Sequence, residues 1–139
     1  DVDGVVVLTP YLWKFDRAEL VDYYRAVADA SRVPVYLYDL PGLTGVKLDH
    51  DTILAAAVHP NVRGVKSSAA WDDTRRLMDR AGGRLRVVPA QAHLVDALIR
   101  CGVRENLDGV FAVAPHWVTG IAAAAEAGDW PLAARRQRR

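Results

Sequence analysis

The chain is poor in sulfur and in phenylalanine, with one cysteine, one methionine and two phenylalanines among 139 residues. A lone thiol, Cys101, excludes an intramolecular disulfide and fits a reducing, cytoplasmic setting. It lies in an apolar stretch and is expected to be a small buried hydrophobe. No run reaches the roughly 18 apolar residues of a membrane span, and no signal peptide precedes the first apolar run. No membrane partner is therefore expected. No glycine-rich phosphate loop follows any strand-like run, which removes the common nucleotide-binding signatures. Neither His93 nor His116 sits in a metal-ligand pattern, so no zinc site is expected. No cofactor is expected either. Charge of one sign is also lacking. The formal net charge is +1, and four of the positive charges are Arg135, Arg136, Arg138 and Arg139 at the very end. Without them the body is about −3, so no nucleic-acid surface is expected. The arginine run reads as the solvated face of a helix.

What is present is regular. Five near-continuous, valine-rich apolar runs recur at Gly4–Thr9, Val33–Tyr38, Val62–Lys66, Leu85–Ala90 and Gly109–Ala114. Such runs suit parallel strands covered on both faces. Their spacing, roughly 23–30 residues, is that of one strand-plus-helix unit. Helical segments fill the gaps. Asp16-Arg17-Ala18-Glu19 reads as a capping box, followed by Leu20, Tyr23, Tyr24 and Val27 at helical spacing. Further helices are expected from about Asp49 or Asp51 to Val58, Trp71 to Arg80, Ala92 to Cys101 and Pro115 to Ala127, with glycines closing the last three.

Alternating strands and helices predict an α/β fold. Two versions compete: an open doubly wound sheet, and part of a (β/α)8 barrel, which needs about 250 residues when whole. Length favours the first; the missing phosphate loop favours the second. The first residues already read as a strand, so a single partial domain over residues 1–139, truncated at both ends, is expected.

Functional groups in such folds gather at the C-terminal strand ends. Here those ends carry Thr9-Pro10-Tyr11, Tyr38, Lys66-Ser67-Ser68, Ala90-Gln91 and Ala114-Pro115-His116. Adjacent strands lie about 4.8 Å apart, so Tyr38 and Lys66 can share one cavity. A lysine drawn out of water loses ammonium stability, and its neutral amine can attack a ketone. A nearby phenol can relay the proton. Spacing alone leaves the plainer readings open, in which Lys66 snorkels to solvent and Tyr38 is a core residue with a satisfied hydroxyl. His93 and His116 read as helix N-terminal residues at the rim.

The run Tyr38-Asp39-Leu40-Pro41-Gly42-Leu43-Thr44-Gly45, followed by Gly64-Val65-Lys66, resembles the dihydrodipicolinate synthase / N-acetylneuraminate lyase family. Asp3-Gly4-Val5 through Thr9-Pro10-Tyr11 resembles that family's fourth strand, and Leu107-Asp108-Gly109-Val110 its eighth. The resemblance implies a partial TIM barrel of about five βα units, strands four to eight. It implies a class I lyase or aldolase that binds pyruvate or another 2-oxo acid through a lysine Schiff base. Lys66 would be the imine lysine and Tyr38 the relay phenol, with Thr44, Gly45, Val110 and Tyr11 as substrate-binding positions. A homo-oligomer is implied for the full-length form.

Departures from the family pattern narrow the substrate. Leu43 stands where the synthases carry an arginine for a second carboxylate, and Leu12 where they carry the second tyrosine of a pair. Pro10-Tyr11-Leu12-Trp13-Lys14 is closer to 2-keto-3-deoxy sugar acid aldolases, and Gly45-Val46-Lys47-Leu48 to sialic acid lyases. Ala90-Gln91-Ala92-His93 lacks the glycine and acid that sugar-handling relatives use. The competing expectation is a non-catalytic remnant or assembly module. The chain alone is expected to be inactive, and marginally stable or self-associating.

Overall fold

The computed structural model describes residues 2–138. It divides into two compact units on either side of the Val88–Pro89 link. In the first, strands β1 (Val5–Leu8), β2 (Val35–Asp39), β3 (Val62–Ser67) and β4 (Arg86–Pro89) form one sheet in sequence order, with β1–β2 and β2–β3 parallel. Helices α1 (Arg17–Ala30), α2 (Pro41–Thr44), α3 (His50–Ala56) and α4 (Trp71–Ala81) connect them. Four strands alternate with helices, as the valine-rich runs predict.

The capping box forms. The Asp16 carboxylate accepts the Glu19 N–H at 3.0 Å, and Glu19 accepts the Asp16 N–H at 2.8 Å. Two of the orphan N–H groups at the start of α1 are thereby satisfied. Asp16→Ala is expected to cost about 1 kcal/mol of stability, measurable as a lower denaturation midpoint without loss of helical signal from the other segments. At the far end of α4, Gly82 turns the chain with φ 56°, and its N–H reaches the Met78 carbonyl.

The core lies on one face of the sheet. Val35 and Leu37 of β2 and Val62 and Val65 of β3 are buried there against Leu20, Tyr24 and Ala28 of α1, Ile53 and Ala56 of α3, and Leu77 and Ala81 of α4. Period-two alternation then sends Tyr36 and Tyr38 to the opposite face, where both are half-buried.

The second unit holds a 3-10 turn (Ala92–Leu94) and helices α5 (Val95–Arg100), α6 (Val110–Val113), α7 (Pro115–Glu126) and α8 (Trp130–Gln137). Its own core is Val95, Ile121, Ala124, Ala125 and Ala133. Two expectations are corrected here. The Gly109–Ala114 run is not a strand: the amides of Phe111, Ala112 and Ala114 bond to the carbonyls of Asp108, Gly109 and Val110 within the segment, and Ala112 and Val113 are exposed. A parallel strand exists only through its neighbours' hydrogen bonds. This segment closes its own bonds as α6 instead. Cys101 is exposed rather than buried. It caps α5, one residue past the helix, while the inward positions are Val95 and Leu98. The terminal arginines fall on and after α8, where Arg135 and Arg138 are exposed and Arg136 donates to the Gly120 carbonyl. Arg139 lies outside the described residues. Among the described residues, no helix is long and apolar enough to cross a membrane.

Candidate active site

Lys66 and Tyr38 meet because of a fault in the sheet. Val35 pairs with Val62, but Tyr36 pairs with Gly64, so Arg63 is passed over. From there the register runs Leu37 with Val65, Tyr38 with Lys66 and Asp39 with Ser67. Uninterrupted pairing from Val35 would have set Lys66 opposite Asp39, on the core face. A one-residue slip exchanges the two faces of a strand. The extra residue at Arg63 therefore delivers the amine to the phenol's side.

There the Lys66 amine lies 2.8 Å from the Tyr38 hydroxyl and 4.1 Å from the centre of its ring. Both side chains are half-buried. The contact works in either protonation state, since an ammonium donates to the phenol oxygen and a neutral amine accepts from it. Ser68 adds a longer contact, its hydroxyl 3.5 Å from that of Tyr38. An amine, a phenol and a second hydroxyl thus sit at the ends of two adjoining strands. That set can attack a carbonyl and move a proton on and off the oxygen it displaces.

The turn after β2 is tightly built. Gly45 takes φ 69° and its N–H closes on the Pro41 carbonyl at 2.9 Å. A side chain there would be strained in the left-handed region. The Thr44 hydroxyl is committed locally: it lies 3.1 Å from the carbonyls of Leu40 and Val46 and accepts the Val46 N–H at 3.2 Å. The Thr44 hydroxyl is thus engaged within the turn itself. Leu43, on the same turn, is 73 % exposed, and Tyr11 beyond β1 is 67 % exposed. Val110 belongs to the second unit, at the start of α6. His93 and His116 are exposed, the first in the 3-10 turn and the second in the first turn of α7.

On the opposite face of the sheet a charged network supports the strand ends. Asp39 is buried, and its carboxylate accepts the Leu48 N–H at 3.0 Å and the Lys47 ammonium at 2.6 Å. Lys47 continues to Asp73 at 3.1 Å, and Asp73 lies 3.1 Å from His50. Burial pulls the Lys47 pKa down, but the Asp39 and Asp73 carboxylates outweigh it and hold the ammonium above its ordinary value. For Asp73 burial acts upward, while Lys47, His50 and Arg76 together bring its carboxyl below the usual range. Sequence reasoning ended the strand at Tyr38 and quoted Asp39 only within the turn motif, without a role; the structure makes it the last residue of β2. The alternation of β2, with Val35, Leu37 and Asp39 on one face, was the available signal.

The family model for the dihydrodipicolinate synthetase family matches residues 1–139. The chain belongs to this family. It is 34 % identical over 139 residues to 4-hydroxy-tetrahydrodipicolinate synthase 1 of Streptomyces coelicolor, covering 99 % of this chain and 45 % of that protein. Two solved structures share its fold over 98 % of its length and 47 % of theirs. One is the dihydrodipicolinate synthase of Acinetobacter baumannii complexed with pyruvate, with a TM-score of 0.84 at 29 % identity. The other is YagE of E. coli K12, a prophage protein of the dihydrodipicolinic acid synthase family in complex with pyruvate, with a TM-score of 0.84 at 27 % identity. The chain spans about half the length of the curated relatives it matches. Its synthetase-family likeness covers both the strand ends that carry Lys66 and Tyr38 and the helical second unit.

Proposed function

We infer that this chain supplies the lysine-bearing part of a pyruvate-dependent lyase or aldolase, and that Lys66 forms the imine. The 2.8 Å amine–phenol contact at adjoining strand ends carries this reading. In it, the neutral amine attacks the ketone carbon of pyruvate or a related 2-oxo acid, and Tyr38 protonates the oxygen that leaves as water. The imine then draws electrons from the adjacent carbon. Loss of a proton there gives the enamine that joins to an aldehyde, and the reverse sequence breaks that bond. Hydrolysis returns the amine. The pyruvate complexes of the A. baumannii and YagE structures favour the same keto acid.

The partner is argued from Leu43 and Leu12. A leucine at the turn offers no bidentate cation for a second carboxylate. This favours a 2-keto-3-deoxy sugar acid aldolase over dihydrodipicolinate synthesis, although the 34 % identical relative bears the synthase name. The chain is one partial (β/α)8 domain, its sheet completed in the full-length protein, and that protein is an oligomer. Tyr11, Leu12 and Trp13, at 67 %, 78 % and 75 % exposure, support burial against further protein.

Treating the full-length protein with pyruvate and borohydride, then mapping the reduced adduct by mass spectrometry, tests the assignment. A pyruvyl group on the peptide containing Lys66 is expected. An unmodified Lys66 peptide removes the mechanism.

A further inference from the structure

Asp39 is the buried charged side chain among the described residues, 1 % exposed, and it adjoins Tyr38 in β2. Its side chain faces the core while the phenol of Tyr38 faces the other way. Its carboxylate holds two ends of the intervening loop: one oxygen takes the Leu48 N–H at 3.0 Å, the other the Lys47 ammonium at 2.6 Å. Its backbone carbonyl takes the Ser68 N–H at 2.9 Å, just beyond Lys66. Asp39 thus pins the end of β2, the turn of residues 40–48 and the segment that follows the lysine.

That arrangement needs a cation. A carboxylate so deeply buried either keeps a charge partner, takes up a proton, or moves to water. Lys47 is the partner, and its three donors are all used: on Asp39, on the Leu48 carbonyl at 2.7 Å, and on Asp73 at 3.1 Å. The other polar groups around the pair do not replace it. Tyr24 from α1 is a buried neutral phenol whose pKa is raised by burial and then by Tyr23 and Asp39. His50 of α3 and Arg76 of α4 face Asp73, not Asp39.

We propose that Lys47 is a positioning residue for the imine chemistry: by neutralising Asp39 behind the sheet, it fixes the strand ends that aim Tyr38 at Lys66. The proposal rests on the lysine–phenol reading given above. Lys47 touches no reacting atom. Its loss frees Asp39 to swing toward water, which turns the peptide shared with Tyr38 and lengthens the amine–phenol contact.

The test is borohydride trapping of the full-length protein over a range of pyruvate concentrations, for wild type, Lys47→Met and the neutral pair Asp39→Asn/Lys47→Met. Asparagine keeps an acceptor for the Leu48 N–H and needs no cation. Lys47→Met is expected to trap about 100-fold more slowly at saturating pyruvate, the scale of a misplaced catalytic group, with the half-saturating concentration little changed. The neutral pair is expected to recover to within about threefold of wild type, since contacting residues are energetically coupled. If Lys47→Met does not fold, which circular dichroism reveals, the neutral pair decides alone. A wild-type rate in Lys47→Met overturns the positioning role, as does a neutral pair as slow as the single variant. Absence of any adduct in the wild type overturns the lysine reading and this proposal with it.

Discussion

Lys66→Arg is expected to abolish the borohydride-trapped pyruvyl adduct and to lower turnover of the full-length protein by about 10³-fold or more, as removal of a covalent nucleophile does. Arginine preserves length and charge, so the strand end and its contact with Tyr38 are largely kept. What it cannot do is lose its proton, because the guanidinium stays charged at any pH a protein survives. The loss is therefore chemical rather than conformational, and an unchanged denaturation midpoint verifies that. Tyr38→Phe makes the complementary case. It keeps the amine and the ring 4.1 Å from it but deletes the hydroxyl at 2.8 Å. Imine formation is expected to continue about 10²- to 10⁴-fold more slowly, the range of a missing general acid. An adduct that survives in Lys66→Arg at another lysine, or a Tyr38→Phe protein that traps at the wild-type rate, defeats the division of labour between amine and phenol.

Much of the first unit was legible because its elements are specified locally. The capping box at Asp16 and Glu19 and the glycine stop at Gly82 need only a few residues each, and they hold in the structure. The valine-rich runs mark β1 to β4 as strands, but their buried valines are confined to β2 and β3, while Val6 of β1 is exposed. The fifth run, equally valine-rich at Gly109–Ala114, folds as α6, because a strand is a property of a pair and composition does not supply the neighbour. Cys101 misled for a related reason: apolar neighbours in sequence do not decide which side of a helix end faces inward. The Lys66–Tyr38 encounter was legible as a possibility of spacing, but its cause was not. It depends on the register fault at Arg63, and no composition signal marks where a strand skips a residue. Asp39 was quoted as part of a motif while its partner Lys47, eight residues on, was tied to it only by the fold.

After the same fault, Gly64 is the glycine with the least room for a side chain among the described residues. Paired with Tyr36, it shares the face that carries Tyr38 and Lys66. A Cβ built on Gly64 would lie 2.5 Å from the Arg86 carbonyl oxygen and 2.6 Å from the Cδ1 and Cε1 atoms of the Tyr36 ring. Neither neighbour yields easily. The carbonyl is backbone of β4, and the ring is held on its other side near Gly4, whose own Cβ would meet it at 3.4 Å. Arg86 further ties the Tyr36 hydroxyl at 3.2 Å. Gly64→Ala must then separate β3 from β4 or expel the ring, and a cost of about 3 kcal/mol is expected, at the upper end of single-methyl overpacking. Tyr36→Ala in the same chain removes the ring but leaves the carbonyl, so it should relieve only part of that cost. Because β3 carries Lys66 two residues on, the amine moves with the strand, and trapping by pyruvate should fall even in the folded fraction. Denaturant titration of the full-length variants reads the first effect and the borohydride adduct yield per folded molecule the second. A Gly64→Ala protein with wild-type stability would mean that the sheet has slack between β3 and β4, and the close register that brings amine to phenol would lose its structural basis.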